Sequence, residues 1–215
     1  MAEKKTAKRN YLNRQQRRQQ LLDTAAAIVD EQGWSGLTMI SLAERAEVSR
    51  QLVYQHFTAI DELLLETIKY LFGSLYQDSQ ADFNQQPGDI EQAVQAQHRH
   101  YHEDLSVGRV RALWTILFTP YNANEPIAKA ARMIRRLSAD VPAAAIPGLV
   151  GAELADDQRR QIGFMIDMLF WGSYSLVSDG EMDKDSALEL LLWMLRRFKS
   201  GEAAGLPPVF NKPTK

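Results

Sequence analysis

The chain has 215 residues, 45% hydrophobic and 24% charged, with a formal net charge of −2 and no cysteine. That length and composition suit one or two small globular domains with a real hydrophobic core, and the missing cysteines exclude a disulfide framework, a thiol nucleophile and a thiolate metal site. Charge is uneven: residues 1–58 hold nine Lys/Arg against six Asp/Glu, whereas the remaining 157 hold sixteen against twenty-one.

Seven of those nine basic residues lie in the first eighteen: Lys4, Lys5, Lys8, Arg9, Arg14, Arg17 and Arg18. A basic end on an acidic body points to a polyanion met only by that end; a solvated tail is the plainer alternative. Residues 1–13 are expected to be a flexible basic arm. No apolar h-region follows it, so no signal peptide is expected. No run of about 18 apolar residues occurs either, so no membrane span is expected and the cytoplasm is the simplest location. Asn13-x-x-Gln16 reads as a capping box opening a first helix. Its apolar face is Leu21, Leu22, Ala25, Ile28 and Val29, and Gly33 closes it. Trp34 and Leu37 are expected to plug the space between this helix and the next two.

Thr38 to Phe57 reads as two short helices around a tight turn. Thr38 caps the first, with Leu42, Ala43 and Ala46 inward. Glu47-Val48 makes the turn. Ser49 caps the second, with Leu52, Val53 and Phe57 inward and Arg50, Gln51, Tyr54, Gln55 and His56 towards solvent. Such a helix-turn-helix presents a short helix to the DNA major groove. Thr38-x-x-x-Leu42-Ala43-x-x-Ala46-x-Val48-Ser49, then Tyr54-x-His56-Phe57 and Asp61-Glu62-Leu63-Leu64, resembles the signature of TetR-family transcriptional regulators over roughly residues 14 to 65. Two positions depart from the family pattern. Glu47 stands where glycine is usual, so it is expected to carry a left-handed conformation at about 1 kcal/mol. Thr58 stands where a phosphate-contacting lysine is usual.

Thr58-Ala59-Ile60-Asp61 reads as a second capping box, opening a long fourth helix with Leu64, Ile68, Leu71, Phe72 and Leu75 on one face. Helix 5 carries Ile90, Val94, His98, Tyr101 and Leu105; helix 6 carries Val110, Leu113, Trp114, Leu117 and Phe118, apolar on most sides. Helix 7 starts at Asn124-Glu125-Pro126, with Ile127, Ala130, Ala131, Ile134 and Leu137 inward and Arg132, Arg135 and Arg136 outward. Residues 139–152, with two prolines and two glycines, read as a linker. Helix 8 (about 156–178) and helix 9 (about 183–199) are apolar on more than one face, beyond the roughly 100° stripe that one partner needs. The surplus predicts a homodimer through these two helices. Residues 202–215 are expected to form a flexible tail.

The resulting expectation is an all-α protein. An N-terminal three-helix DNA-binding unit (14–60) is followed by a helical effector-binding and dimerisation unit (61–201). Arg50, Gln51 and Gln55 would read base edges; Tyr54, His56, Ser49 and Thr38, with Lys4 and Lys5, would anchor the DNA backbone. The family resemblance implies a small-molecule cavity in the C-terminal unit. Its candidate lining is Phe72, His98, Tyr101, Trp114, Phe118, Met165, Asp167, Met168 and Trp171, suited to an apolar or aromatic effector. Asp167 would pair with Arg109 or Arg111, or serve as a polar anchor for a ligand, a cationic one included. His98 and His102 are one turn apart, as metal ligands often are, but the set is incomplete, and no metal or cofactor is expected. The function so implied is a homodimeric repressor on a pseudo-palindromic double-stranded operator, released by the effector. The alternatives are a DNA-binding regulator without effector and an all-helical enzyme or carrier; no nucleophile elbow, phosphate loop or metalloprotease motif supports the enzyme.

Overall fold

The computed structural model describes residues 12–85, 89–118, 125–145 and 155–199, and these are helical with short connections. In chain order the helices are α1 (Arg14–Gln32), α2 (Met39–Arg45), α3 (Arg50–His56), α4 (Ile60–Gln85), α5 (Ile90–Arg99), α6 (Val107–Phe118), α7 (Glu125–Ala145), α8 (Asp156–Ser178) and α9 (Lys184–Lys199). The capping expectations are met where the helices begin. Asn13 accepts from the Gln16 amide while the Gln16 side chain accepts from the Asn13 amide, at 2.9 and 3.0 Å. Thr38 caps α2 through the Ser41 amide at 3.0 Å, and Ser49 caps α3 through the Leu52 amide at 3.2 Å. Each bond satisfies an amide that the first helical turn leaves without an intrahelical partner.

Glu47 sits at φ 54°, the left-handed turn that the missing glycine predicts. At the start of α4 the box is built differently from the expectation. The Glu62 carboxylate, not Asp61, accepts from both the amide and the hydroxyl of Thr58, at 2.7 and 2.8 Å. The buried face of α4 is likewise shifted: Leu63, Ile68, Leu71, Phe72 and Leu75 are buried and Leu64 is only half-buried.

A continuous apolar cluster runs from Leu21 of α1 through Leu42, Phe57 and Leu63 to Ile134, Ile166 and Leu195. Burying such a side chain contributes about 1.5–3 kcal/mol, so the short α2 and α3 are held by tertiary packing and not by their own propensity. α6 lies against α1 and α4, and α7 lies between α4 and α8. The indole of Trp34, half-buried, donates to the Ala112 carbonyl of α6 at 2.8 Å. Ser106, just before α6, donates to Asp30 at 2.6 Å. A Cβ at Gly108 would collide with the Asp30 carbonyl, so glycine is what lets these backbones meet.

Three expectations about the body fail. The linker assigned to 139–152 is helical as far as Ala145, with Pro142 inside α7. Ala139 and Ala143 are buried there, and a Cβ on Gly163 of α8 would strike the Ala139 carbonyl and the Ala143 side chain. Small residues on both helices allow a close approach whose packing outweighs the proline's lost hydrogen bond. Phe118, expected inside, is 40% exposed at the end of α6. Arg135, expected on the outer face of α7, is half-buried, and its burial lowers its pKa. The expected basic arm up to residue 11 and the tail at 202–215 lie outside the described residues. No described helix is long and apolar enough to cross a membrane.

Candidate nucleic-acid interface and the C-terminal core

The outward face of α3 is polar and open. Arg50, Gln51 and Gln55 are exposed, Tyr54 is 53% exposed, and His56 is half-buried. Beneath them Val53 and Phe57 are fully buried, so a short helix is seated on a rigid apolar base. Arg18 does much of the seating. Its guanidinium lies 4.7 Å from the Phe57 ring centroid, donates to the His56 carbonyl at 2.7 Å, and pairs with Glu66 of α4 at 2.8 Å. Arg18, counted by sequence among the polyanion-facing cations, therefore ties α1, α3 and α4 together. His56 has its pKa lowered by burial first and then by repulsion from Arg14, Arg18 and Arg17. The repulsion places the first turn of α1 beside the end of α3 and makes one positive corner of the two.

Thr38 and Ser49 are exposed at the two helix starts, each with its oxygen used in a cap. The capping hydroxyl of Ser49 keeps its own proton to donate outward, whereas that of Thr38 donates to Ser41 Oγ at 3.0 Å. Thr58 takes no lysine's place: its amide and hydroxyl are both bound to Glu62. Lys4 and Lys5 lie outside the described residues.

In the C-terminal body the candidate residues do not form one set. His100–Asp104 makes a π-turn after α5, closed by the Leu105 amide on the His100 carbonyl at 3.1 Å. The turn buries Tyr101 among Phe170, Trp171 and Tyr174 of α8, with ring centroids at 4.6, 5.6 and 6.5 Å and edge-to-face geometry. His102 stacks on Tyr174 at 5.0 Å and meets His98 at 4.3 Å. Burial, then repulsion from His98 and Lys184, lowers the pKa of His102 to about 4, and burial lowers that of His98. These are packed neutral imidazoles; among the described residues no group of three or more His, Cys, Asp or Glu could hold a metal.

Asp167 is 7% exposed inside α8 and meets neither Arg109 nor Arg111 in a hydrogen bond or ion pair given by the structure. Its Oδ1 accepts from the Ser138 hydroxyl of α7 at 2.5 Å and from the Trp171 indole at 3.1 Å. Arg109 instead donates to Ser74 of α4. Burial raises the Asp167 pKa to about 7 against the pull of its two donors. Ser138 had no sequence signal, because the register of α7 on α8 is set by packing alone.

The remaining candidates are more scattered. Phe72 is buried and contacts Tyr76, Trp114 is half-buried against Phe118, and Met168 is half-buried against the core. Met165 is 38% exposed and belongs to the outer face of α8, not to the interior.

Comparison with known proteins bears first on the N-terminal part. Residues 21–67 match the family described as bacterial regulatory proteins, tetR family. Over 116 residues the chain is 30% identical to the HTH-type transcriptional regulator BetI of Burkholderia thailandensis, covering 54% of this chain and 51% of that protein. The match thus spans about half the length of that curated relative. The fold as a whole is similar to E. coli NemR in its reduced form, with a TM-score of 0.67 and 14% identity over 84% of this chain and 96% of that one. It is similar also to Thermus thermophilus FadR, a TetR-family repressor solved with lauroyl-CoA, with a TM-score of 0.58 and 20% identity over 92% and 98% of the two chains. At such identities the structural likeness speaks for the fold alone.

Proposed function

The chain belongs to the TetR family of bacterial regulatory proteins, and from that premise we propose that it is a homodimeric repressor that binds a pseudo-palindromic operator and leaves it when a small apolar or aromatic effector binds. The family is one of regulators and not of catalysts, which sets aside the reading as an all-helical enzyme. The observation that carries the proposal is the exposed polar face of α3, Arg50, Gln51, Tyr54 and Gln55, standing on fully buried Val53 and Phe57. Arginine chelates guanine O6 and N7, and glutamine pairs with adenine N6 and N7. Tyr54, His56, Thr38 and Ser49, with Lys4 and Lys5, take backbone phosphates, which position the helix without specifying sequence.

Dimerisation follows from the outer faces of α8 and α9. Met165, Leu169, Gly172 and Leu176 fall at spacings of four, three and four residues, one helical stripe, and all but half-buried Leu169 are exposed. Leu190 and Trp193 are exposed on α9. Two copies of this surface make a four-helix interface around a two-fold axis, and two α3 helices then meet successive major grooves.

Effector action needs a ligand that binds the DNA-incompetent arrangement better than the competent one. The aromatic group of Tyr101 with Phe170, Trp171 and Tyr174 supports an apolar or aromatic ligand. The test is binding to genomic fragments across salt. Affinity should fall linearly on a log–log plot against salt as phosphate-bound counterions are released. Arg50→Ala should cost about 1–3 kcal/mol at one base position, whereas loss of Lys4 and Lys5 should weaken all sequences alike. No binding to any fragment at low salt removes the proposal, and equal effects of the two substitutions remove the division of roles.

A further inference from the structure

The carboxyl of Asp167 is bound on one oxygen only. Oδ1 is held by Ser138 and Trp171, which fix the plane of the group, while Oδ2 is buried and has no hydrogen-bond partner among the described residues. A buried charge without a donor is strongly unfavourable, and so is a buried polar oxygen left unpaired. No cationic side chain acts on this carboxyl among the described residues: what bears on it is its burial and the two donors Ser138 and Trp171. What surrounds this part of α8 is aromatic, with Trp171 packed on Tyr101 and Tyr174. Aromatic faces attract cations, and a carboxylate attracts them more strongly.

We propose that Asp167 Oδ2 is the anchor for an effector carrying a protonated amine on an aromatic or aliphatic body, which enters between α7 and α8. This deepens the effector reading above and rests on it. An ammonium donates to Oδ2 and neutralises the carboxylate in place, whereas an acid of the same shape meets a like charge. Entry must part α7 from α8, because Oδ2 is buried and Ser138 of α7 is bonded to Oδ1 of the same carboxyl. That movement displaces α7, and α7 is packed against α4, the helix that begins at Ile60 directly behind α3. The ligand therefore selects an arrangement in which the strut to the DNA-reading end has moved, the differential binding that release requires.

The test uses full-length protein and a matched trio of probes: phenethylamine, phenethyl alcohol and hydrocinnamate, read by calorimetry and thermal shift. A charged hydrogen bond in a buried site makes the amine bind about ten-fold or more tighter than the alcohol, with the acid weaker than either. Asp167→Asn should remove the preference for the amine while leaving the alcohol unchanged. Equal binding of amine and alcohol to wild type, preference for the acid, or no binding of the amine at millimolar concentration overturns the proposal without any variant. Amine preference that survives Asp167→Asn overturns it as well. An operator shift run alongside separates the two levels. DNA binding that is intact but blind to amines removes only the anchor, whereas absence of DNA binding removes the regulator reading beneath it.

Discussion

Single side chains decide the local turns, and Glu47 is the clearest case. Its φ of 54° places a β-carbon where only glycine is comfortable, at about 1 kcal/mol. Glu47→Gly should raise the unfolding free energy by up to that amount, seen as a higher urea midpoint with an unchanged m-value; a lower midpoint would mean that the glutamate side chain holds the turn. This conformation was legible through the family resemblance, which implies a glycine at the position that Glu47 holds. Asp167 was legible only as an oddity. Its raised pKa has a definite sign for stability. Unfolded, the group titrates near 4, and folded it titrates at about 7. Between those values the folded state holds the extra proton, so its contribution to stability is lost as pH rises through the window. Asp167→Asn keeps an acceptor for Ser138 and Trp171 but cannot ionise. Relative to wild type it should gain on the order of 2–4 kcal/mol between pH 4 and pH 8. Taking the difference between the two proteins cancels the opposing titration of His98 and His102. A flat difference across that range would show that Asp167 does not ionise in the fold.

At the level of elements, periodicity located the helices and their caps, but it could not give the registers between helices. Pro142 and the run of alanines around it read as a break because proline cannot donate within a helix. The close approach of Gly163 to Ala139 and Ala143 was invisible until the two segments were side by side. The same applies to the seam between α1 and α6. Asp30 and Trp34 are separated from Ser106, Gly108 and Ala112 by more than 70 residues, and nothing in either stretch names the other. That seam joins the DNA-reading end to the body with two polar bonds and one glycine. Gly108→Ala forces a methyl group into the Asp30 carbonyl and should cost about 1–3 kcal/mol. Hydrogen exchange should then rise on both sides of the seam, in the amides of Asp30–Leu37 and of α6. Protection unchanged in either segment would show that the two ends are not held together there.

For the whole molecule, the function proposed depends on two copies. A single α3 contacts only part of one turn of DNA; a dimer places two of them in register with the duplex. In the proposed dimer the stripe on α8 takes a helix from the other subunit. Gly172 is exposed and a Cβ there would meet nothing within 4 Å, so an approaching helix finds a flat, apolar strip between Met165 and Leu176. Trp193, 56% exposed with Arg197 stacked at 5.1 Å, flanks it on α9. A carboxylate on such a strip must be buried without a partner on both subunits at once, by the two-fold symmetry of the contact. Leu176→Asp should therefore give a monomer by sedimentation while retaining the wild-type helical content. That monomer should lose binding to a full palindrome and keep only weak binding, of similar strength, to either half-site. A Leu176→Asp protein that still sediments as a dimer would place the interface elsewhere. A monomer that binds the full palindrome as tightly as wild type would show that two-fold reading of DNA is not how this protein works.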